Sequence, residues 1–173
     1  MTEKIPLLLI TRPQKQSEQL VDDLTERLGG PPEFIIHPMI SIKELKVNLP
    51  KKLINPLIFT SQNAVSILSK KTSQRGKAYC VGLKVANLAK LNGFDVISIS
   101  ETVEKMIGSG LPERCTYLRG EQITTDIASI STATIDEYIL YTQVLLELKN
   151  KTKHQISKDV LYLFIQKIWL TIW

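Results

Sequence analysis

Residues 57–99 read LIFTSQNAVSILSKKTSQRGKAYCVGLKVANLAKLNGFDVISI, and this stretch decides the fold. Three short apolar runs, "LIF", "KAYCV" and "FDVISI", alternate with two segments of helical spacing. Each apolar run is too short for a buried helix and fits a strand. The intervening "QNAVSILSK" and "LKVANLAKLNG" predict helices, the second with Val85, Leu88, Ala89 and Asn92 on one face and Gly93 as its stop. Strands that alternate with helices predict parallel sheets covered by helices on both faces, an α/β class.

The pattern extends in both directions. Upstream, "PLLLIT" (6–11) is a continuous apolar run and predicts a strand covered on both faces. Pro13 can open a helix, because its missing N–H has no partner to lose in the first turn. Leu20, Val21, Leu24 and Leu28 then recur at helical spacing, Gly29-Gly30 ends the helix, and "EFII" (33–36) is a second strand. Downstream, "ETVEKMIGSG" predicts a short helix, "CTYLRG" (115–120) a strand and "TIDEYILYTQ" (134–143) an extended segment. Residues 37–56 hold three prolines and five Lys or Glu positions without helical periodicity, and read as an extended connector or hinge. "DVLYLF" (159–164) is one more strand.

Composition excludes several classes. The chain has 173 residues and a formal net charge of +5, with 22 Lys+Arg against 17 Asp+Glu. That is sparse for a nucleic-acid binder and suits an anionic small molecule. The two cysteines, Cys80 and Cys115, form no C-x-x-C pair, and His37 and His154 have no metal-ligand spacing, so no metal site is expected. The apolar run at Pro6–Ile10 is shorter than the roughly 7–15 residues of a signal-peptide core. No stretch reaches the ~20 apolar residues of a membrane span. A cytoplasmic protein without membrane partners is expected. "VGLKVA" has one glycine where a dinucleotide fingerprint needs three, which argues against a nucleotide-binding module.

Parallel sheets bind ligands beyond the carboxyl ends of their strands. Four strand ends carry suitable groups: Thr11-Arg12, Thr60-Ser61-Gln62, Gly82-Leu83-Lys84 and Arg119-Gly120. Each is expected to run into a helix N-terminus, where free N–H groups and the helix dipole attract anions. At any one of these ends Ser or Thr can be a helix cap and nothing more. Four together point to a site for a carboxylate- or phosphate-rich ligand.

"TRP" after the first strand, "LIFTSQNAV", "YCVGLKVANLAKLNGFDV", "YLRGE" and "YILYTQ" occur in that order. Together, over about residues 6–145, they resemble the uroporphyrinogen-III synthase family. The resemblance implies two α/β lobes joined by a two-stranded connector. Residues 1–38 with 144–173 would form the first lobe, 39–45 and 139–143 the connector strands, and 46–138 the second lobe. It also implies a lyase activity without metal or organic cofactor. Linear hydroxymethylbilane is closed with inversion of ring D and loss of water, in tetrapyrrole and heme biosynthesis. The substrate is a polycarboxylate, which Thr11, Arg12, Thr60, Ser61, Gln62, Gly82, Lys84, Arg119 and Gly120 would hold. Tyr141 matches the tyrosine of a Y-x-T connector motif and would assist departure of the hydroxyl. Tyr138, three residues earlier, is expected on the opposite face of the strand.

The sequence departs from that family in three places. Val85-Ala86 stand where Thr-Ala is usual, and Thr142 follows Tyr141 directly. After "DVLYLF" the chain reads "IQKIWLTIW", where the family continues into a helix. The expectation is a C-terminally truncated chain with an incomplete first lobe and an apolar end prone to self-association. A chain of this kind could also be an inactive remnant that binds a tetrapyrrole or a partner chain.

Overall fold

The computed structural model describes residues 7–147 and, as backbone, the strand at residues 160–163. The basic stretch 149–158 and the tail 164–173, to which the sequence assigns self-association, lie outside the described residues. The chain divides into two compact units: residues up to Ser41 together with those from Val144, and Ile42–Gln143.

In the first unit, β1 (Leu7–Ile10) is the centre of a three-stranded sheet. It pairs in parallel with β2 (Phe34–Ile36) on one side and β9 (Val160–Leu163) on the other. The helix α1 (Gln14–Leu28) lies between β1 and β2 in sequence. Pro13 precedes it, with its carbonyl accepting the N–H groups of Gln16 and Ser17. Gly29 closes it at φ 72°, the left-handed conformation that a side chain would strain. Leu8, Leu9 and Ile10 are buried, as a central parallel strand requires.

The second unit is built on a six-stranded sheet of order β3-β8-β7-β4-β5-β6. Its strands are β3 (Ile40–Glu44), β4 (Leu57–Phe59), β5 (Lys77–Val81), β6 (Asp95–Ser100), β7 (Arg114–Gly120) and β8 (Thr134–Leu145). The pairs β8/β7, β7/β4, β4/β5 and β5/β6 are all parallel. Leu45 N–H donates to the Leu140 carbonyl and Leu146 N–H to the Met39 carbonyl, so β3 and β8 run antiparallel. The boundaries between the two units fall inside these two strands.

Successive residues of β4 serve opposite faces, as pleating demands. Leu57 and Phe59 join Leu118 and Leu140 under α2 (Gln62–Lys71) and α3 (Leu83–Leu91). Ile58 joins Cys115 and Tyr117, with Met106 of α4 (Val103–Gly108) and Ile127 of α5 (Ile127–Ile130). Phe59 meets Phe94 edge-on at 5.2 Å, and the Arg75 guanidinium lies 4.8 Å above the Phe94 ring. Burial of side chains this size stabilises by about 1.5–3 kcal/mol each.

Candidate functional site

A cleft of about 250 Å³ opens at the carboxyl ends of β4, β5 and β7. Thr60, Ser61, Val81, Tyr117, Gly120 and Tyr141 form its base, and residues 122–125 form one rim. The position follows from the parallel sheet, where the strand ends release the chain into loops.

Ser61 begins the chemistry. Its backbone is extended (φ −144°, ψ 146°), and its Oγ accepts the Ala64 N–H at 3.1 Å as the N-cap of α2. The same Oγ accepts a hydrogen bond from the Tyr141 hydroxyl at 2.8 Å. Thr60 turns the other way, and its Oγ1 lies 2.9 Å from the Tyr117 hydroxyl. Burial pushes the Tyr117 phenol above its ordinary pKa, against a smaller opposing effect of the Thr60 hydrogen bond. Cap and cleft wall are therefore not alternatives at Thr60-Ser61: one residue is both, and its neighbour secures a tyrosine.

Tyr141 reaches Ser61 because of an irregularity in β8. Arg119 pairs with Ile139, but the next residue, Gly120, pairs with Tyr141. Leu140 is the extra residue of a bulge, and a bulge re-aims the side chains around it. Leu140 and Tyr141 are both buried, and Tyr138 packs against the same core cluster as Tyr141. The strict alternation expected for Tyr138 and Tyr141 is thus corrected by the bulge. A Cβ on Gly120 would stand 2.7 Å from the Tyr141 ring, so the absent side chain is the space the ring uses.

Arg119 takes a different position. Its Nε and Nη2 donate to Glu137 Oε2 at 3.1 and 2.9 Å. Its Nη1 donates to the carbonyls of Gly120 and Glu121 at 2.9 and 3.2 Å. The guanidinium is mostly buried and holds the end of β7 to β8.

The chain beyond Gly120 departs from expectation, since no helix starts there. Residues 121–126 form a loop, and α5 has only four residues, capped by Asp126 Oδ1 accepting the Ser129 N–H. Ile123, Thr124 and Thr125 are β-branched, which disfavours a helix and leaves the segment free to line the cleft. The loop is stitched to β8: Glu121 N–H donates to the Tyr141 carbonyl, Gln143 N–H donates to Gln122 Oε1, and the Thr142 hydroxyl donates to Glu121.

Gln62, Gly82 and Lys84 are not among the described residues that line this cleft. Gly82 precedes α3 at φ 89°, with its N–H donating to the Ser100 carbonyl. Lys84 is exposed in the first turn of α3, and Gln62 is half-buried in the first turn of α2. Thr11 and Arg12 stand in the first unit, where the Arg12 carbonyl accepts the Ser17 hydroxyl and Arg12 Nη2 donates to Gln16 Oε1. The structure thus brings together Thr60, Ser61, Gly120 and Tyr141. Tyr117 and residues 122–125 join them without having been singled out by sequence. Tyr117 was signalled only by its place two residues before Arg119, near the carboxyl end of a strand.

Two solved structures share this architecture. One is uroporphyrinogen-III synthetase from Helicobacter pylori, at TM-score 0.55 and 15% identity, with 89% of this chain and 68% of that chain covered. The other is a mutant uroporphyrinogen III synthase from the extremely thermophilic bacterium Thermus thermophilus, at TM-score 0.51 and 12% identity, with 83% and 64% covered. The chain has the uroporphyrinogen-III synthase fold. No family model matches its sequence, and no curated protein matches it. The likeness is therefore one of fold, at 12–15% sequence identity. Among the described residues, no helix is long and apolar enough to cross a membrane.

Proposed function

We propose that the chain is a uroporphyrinogen-III synthase-like lyase, closing hydroxymethylbilane with inversion of ring D and loss of water. The observation that carries this reading is the Tyr141 hydroxyl at the cleft base, seated by Gly120 and bonded to Ser61. A phenol placed there can assist departure of a hydroxyl group, a contribution of typically ~10²–10⁴-fold for general acid catalysis. The first N–H groups of α2, at Gln62 and Asn63, have no carbonyl one turn back and suit a substrate carboxylate. Lys84 offers a solvated positive charge at the start of α3, and in the first unit Arg12 offers a guanidinium and Thr11 a hydroxyl. Arg119 acts at one remove, by fixing Gly120 and Glu121. The remaining rate gain comes from holding a flexible bilane with its reacting carbons close.

One observation favours a second reading, an inactive chain that binds a partner chain and does not cyclise the bilane. The described residues lining the cleft include no Lys or Arg, although the proposed substrate is a polycarboxylate. Product composition separates the two. Freshly generated hydroxymethylbilane closes unaided to isomer I. Excess isomer III supports the synthase; isomer I alone from folded protein supports the binder.

A further inference from the structure

The hydrogen bonds at Ser61 specify more than a cap. A hydroxyl oxygen has two acceptor sites and one proton of its own. Both acceptor sites of Ser61 Oγ are filled, by the Ala64 N–H at 3.1 Å and the Tyr141 O–H at 2.8 Å. The Ser61 proton must take the remaining tetrahedral direction. Ser61 lines the cleft, and among the described residues no acceptor takes that proton. The single proton of Tyr141, in contrast, is committed to Ser61. Thr60 pairs separately with Tyr117, at 2.9 Å, in a bond that either hydroxyl can donate.

We propose that Ser61 is the residue that delivers the proton into the cleft, with Tyr141 behind it as the source, in a two-hydroxyl relay. The proposal rests on the synthase reading above and adds a catalytic residue to it. As the C–O bond of the hydroxymethyl group breaks, its electron pair stays with oxygen. That oxygen takes the Ser61 proton, and Ser61 Oγ takes the Tyr141 proton. Water leaves, the methylene carbon carries a positive charge delocalised into its pyrrole, and Tyr141 is left as phenolate. Carbon–carbon bond formation closes the macrocycle, and the proton shed as the pyrroles are restored returns to Tyr141. One water is lost overall, and no redox partner is needed.

The test is steady-state formation of isomer III by the full chain and by Ser61→Ala, Ser61→Gly, Ser61→Thr, Tyr141→Phe and the Ser61→Ala/Tyr141→Phe double variant. Glycine is tolerated at an N-cap, so Ser61→Gly decides if Ser61→Ala is poorly folded. The relay predicts a kcat loss on the order of 10²-fold in Ser61→Ala and Ser61→Gly, with KM nearly unchanged. It predicts rescue by Ser61→Thr, which restores a hydroxyl. It also predicts a double variant no slower than Tyr141→Phe, because both residues serve one proton path. Wild-type kcat in folded Ser61→Gly, or a double loss equal to the product of the single losses, overturns the relay alone. Isomer I as the sole product of the unaltered chain overturns the synthase reading and the relay with it.

Discussion

Gly120 and Tyr141 face each other across the β7–β8 pair, and the Tyr141 ring fills the space where a Gly120 Cβ would be, 2.7 Å from its nearest ring carbons. The ring is held on one side by backbone and on the other by its bond to Ser61.

Gly120→Ala therefore moves Tyr141. The nearest atoms belong to a rigid ring, so the strain cannot be relieved at a flexible chain end. A destabilisation of about 1–3 kcal/mol is expected from overpacking. Chemical denaturation measures it. The isomer III rate should fall at least as far as in Tyr141→Phe, and an unchanged stability and rate would show that the ring tolerates displacement.

The Arg119–Glu137 pair should matter for the same part of the cleft. Arg119→Leu leaves the carboxylate of Glu137 without its two donors and the carbonyls of Gly120 and Glu121 without theirs. Loss of hydrogen bonds to charged groups predicts a cost of about 1.5–3 kcal/mol. Amide hydrogen exchange of residues 120–122 should accelerate. Exchange at wild-type rates would mean that the loop is held by β8 alone.

Cys80 gives a prediction in pH. Burial raises its thiol from 9.0 to about 11, so the folded chain keeps a proton that the unfolded chain releases above 9.0. Stability from this residue is complete below pH ~9 and is lost as pH rises towards ~11. Subtracting the pH profile of Cys80→Ala from that of the unaltered chain should reveal this decline. Iodoacetamide at about pH 8 should leave Cys80 unmodified until the chain unfolds. Rapid labelling under native conditions would contradict the burial.

The strand and helix order was legible because the parallel strands are short and apolar throughout, with helices of clear spacing between them. "LIF", "KAYCV" and "CTYLRG" each coincide with a strand, and Gly29 and Gly93 stop helices where only glycine is unstrained. The site was legible only in part. Thr60, Ser61, Gly120 and Tyr141 converge because strand ends in a parallel sheet share one edge. The bulge at Leu140 was not legible, since it depends on registry between two strands and leaves no mark in "YILYTQ". The same holds for Arg119: its charge suggested a ligand, while its neighbour in space, Glu137, is eighteen residues away in sequence. The loop at 121–126 was read as a helix start because it follows a strand, although its β-branched run and late cap at Asp126 opposed one.

Tyr117 and Thr60 offer a control for the catalytic claim. Tyr117→Phe removes the hydroxyl that meets Thr60 while keeping the ring in the core. A loss of about 1 kcal/mol in stability is expected. Isomer selectivity should be retained, because the Tyr141–Ser61 bond is separate. A switch to isomer I would transfer the chemistry to Tyr117.

The most direct test of the account is the ratio of isomer III to isomer I formed from fresh hydroxymethylbilane by the unaltered chain beside Tyr141→Phe. The account predicts isomer III in excess from the unaltered chain and a ratio collapsing towards isomer I when the phenol is removed. Isomer I alone from both proteins, with both shown to be folded, would contradict it and leave a chain that has the synthase fold without the synthase reaction.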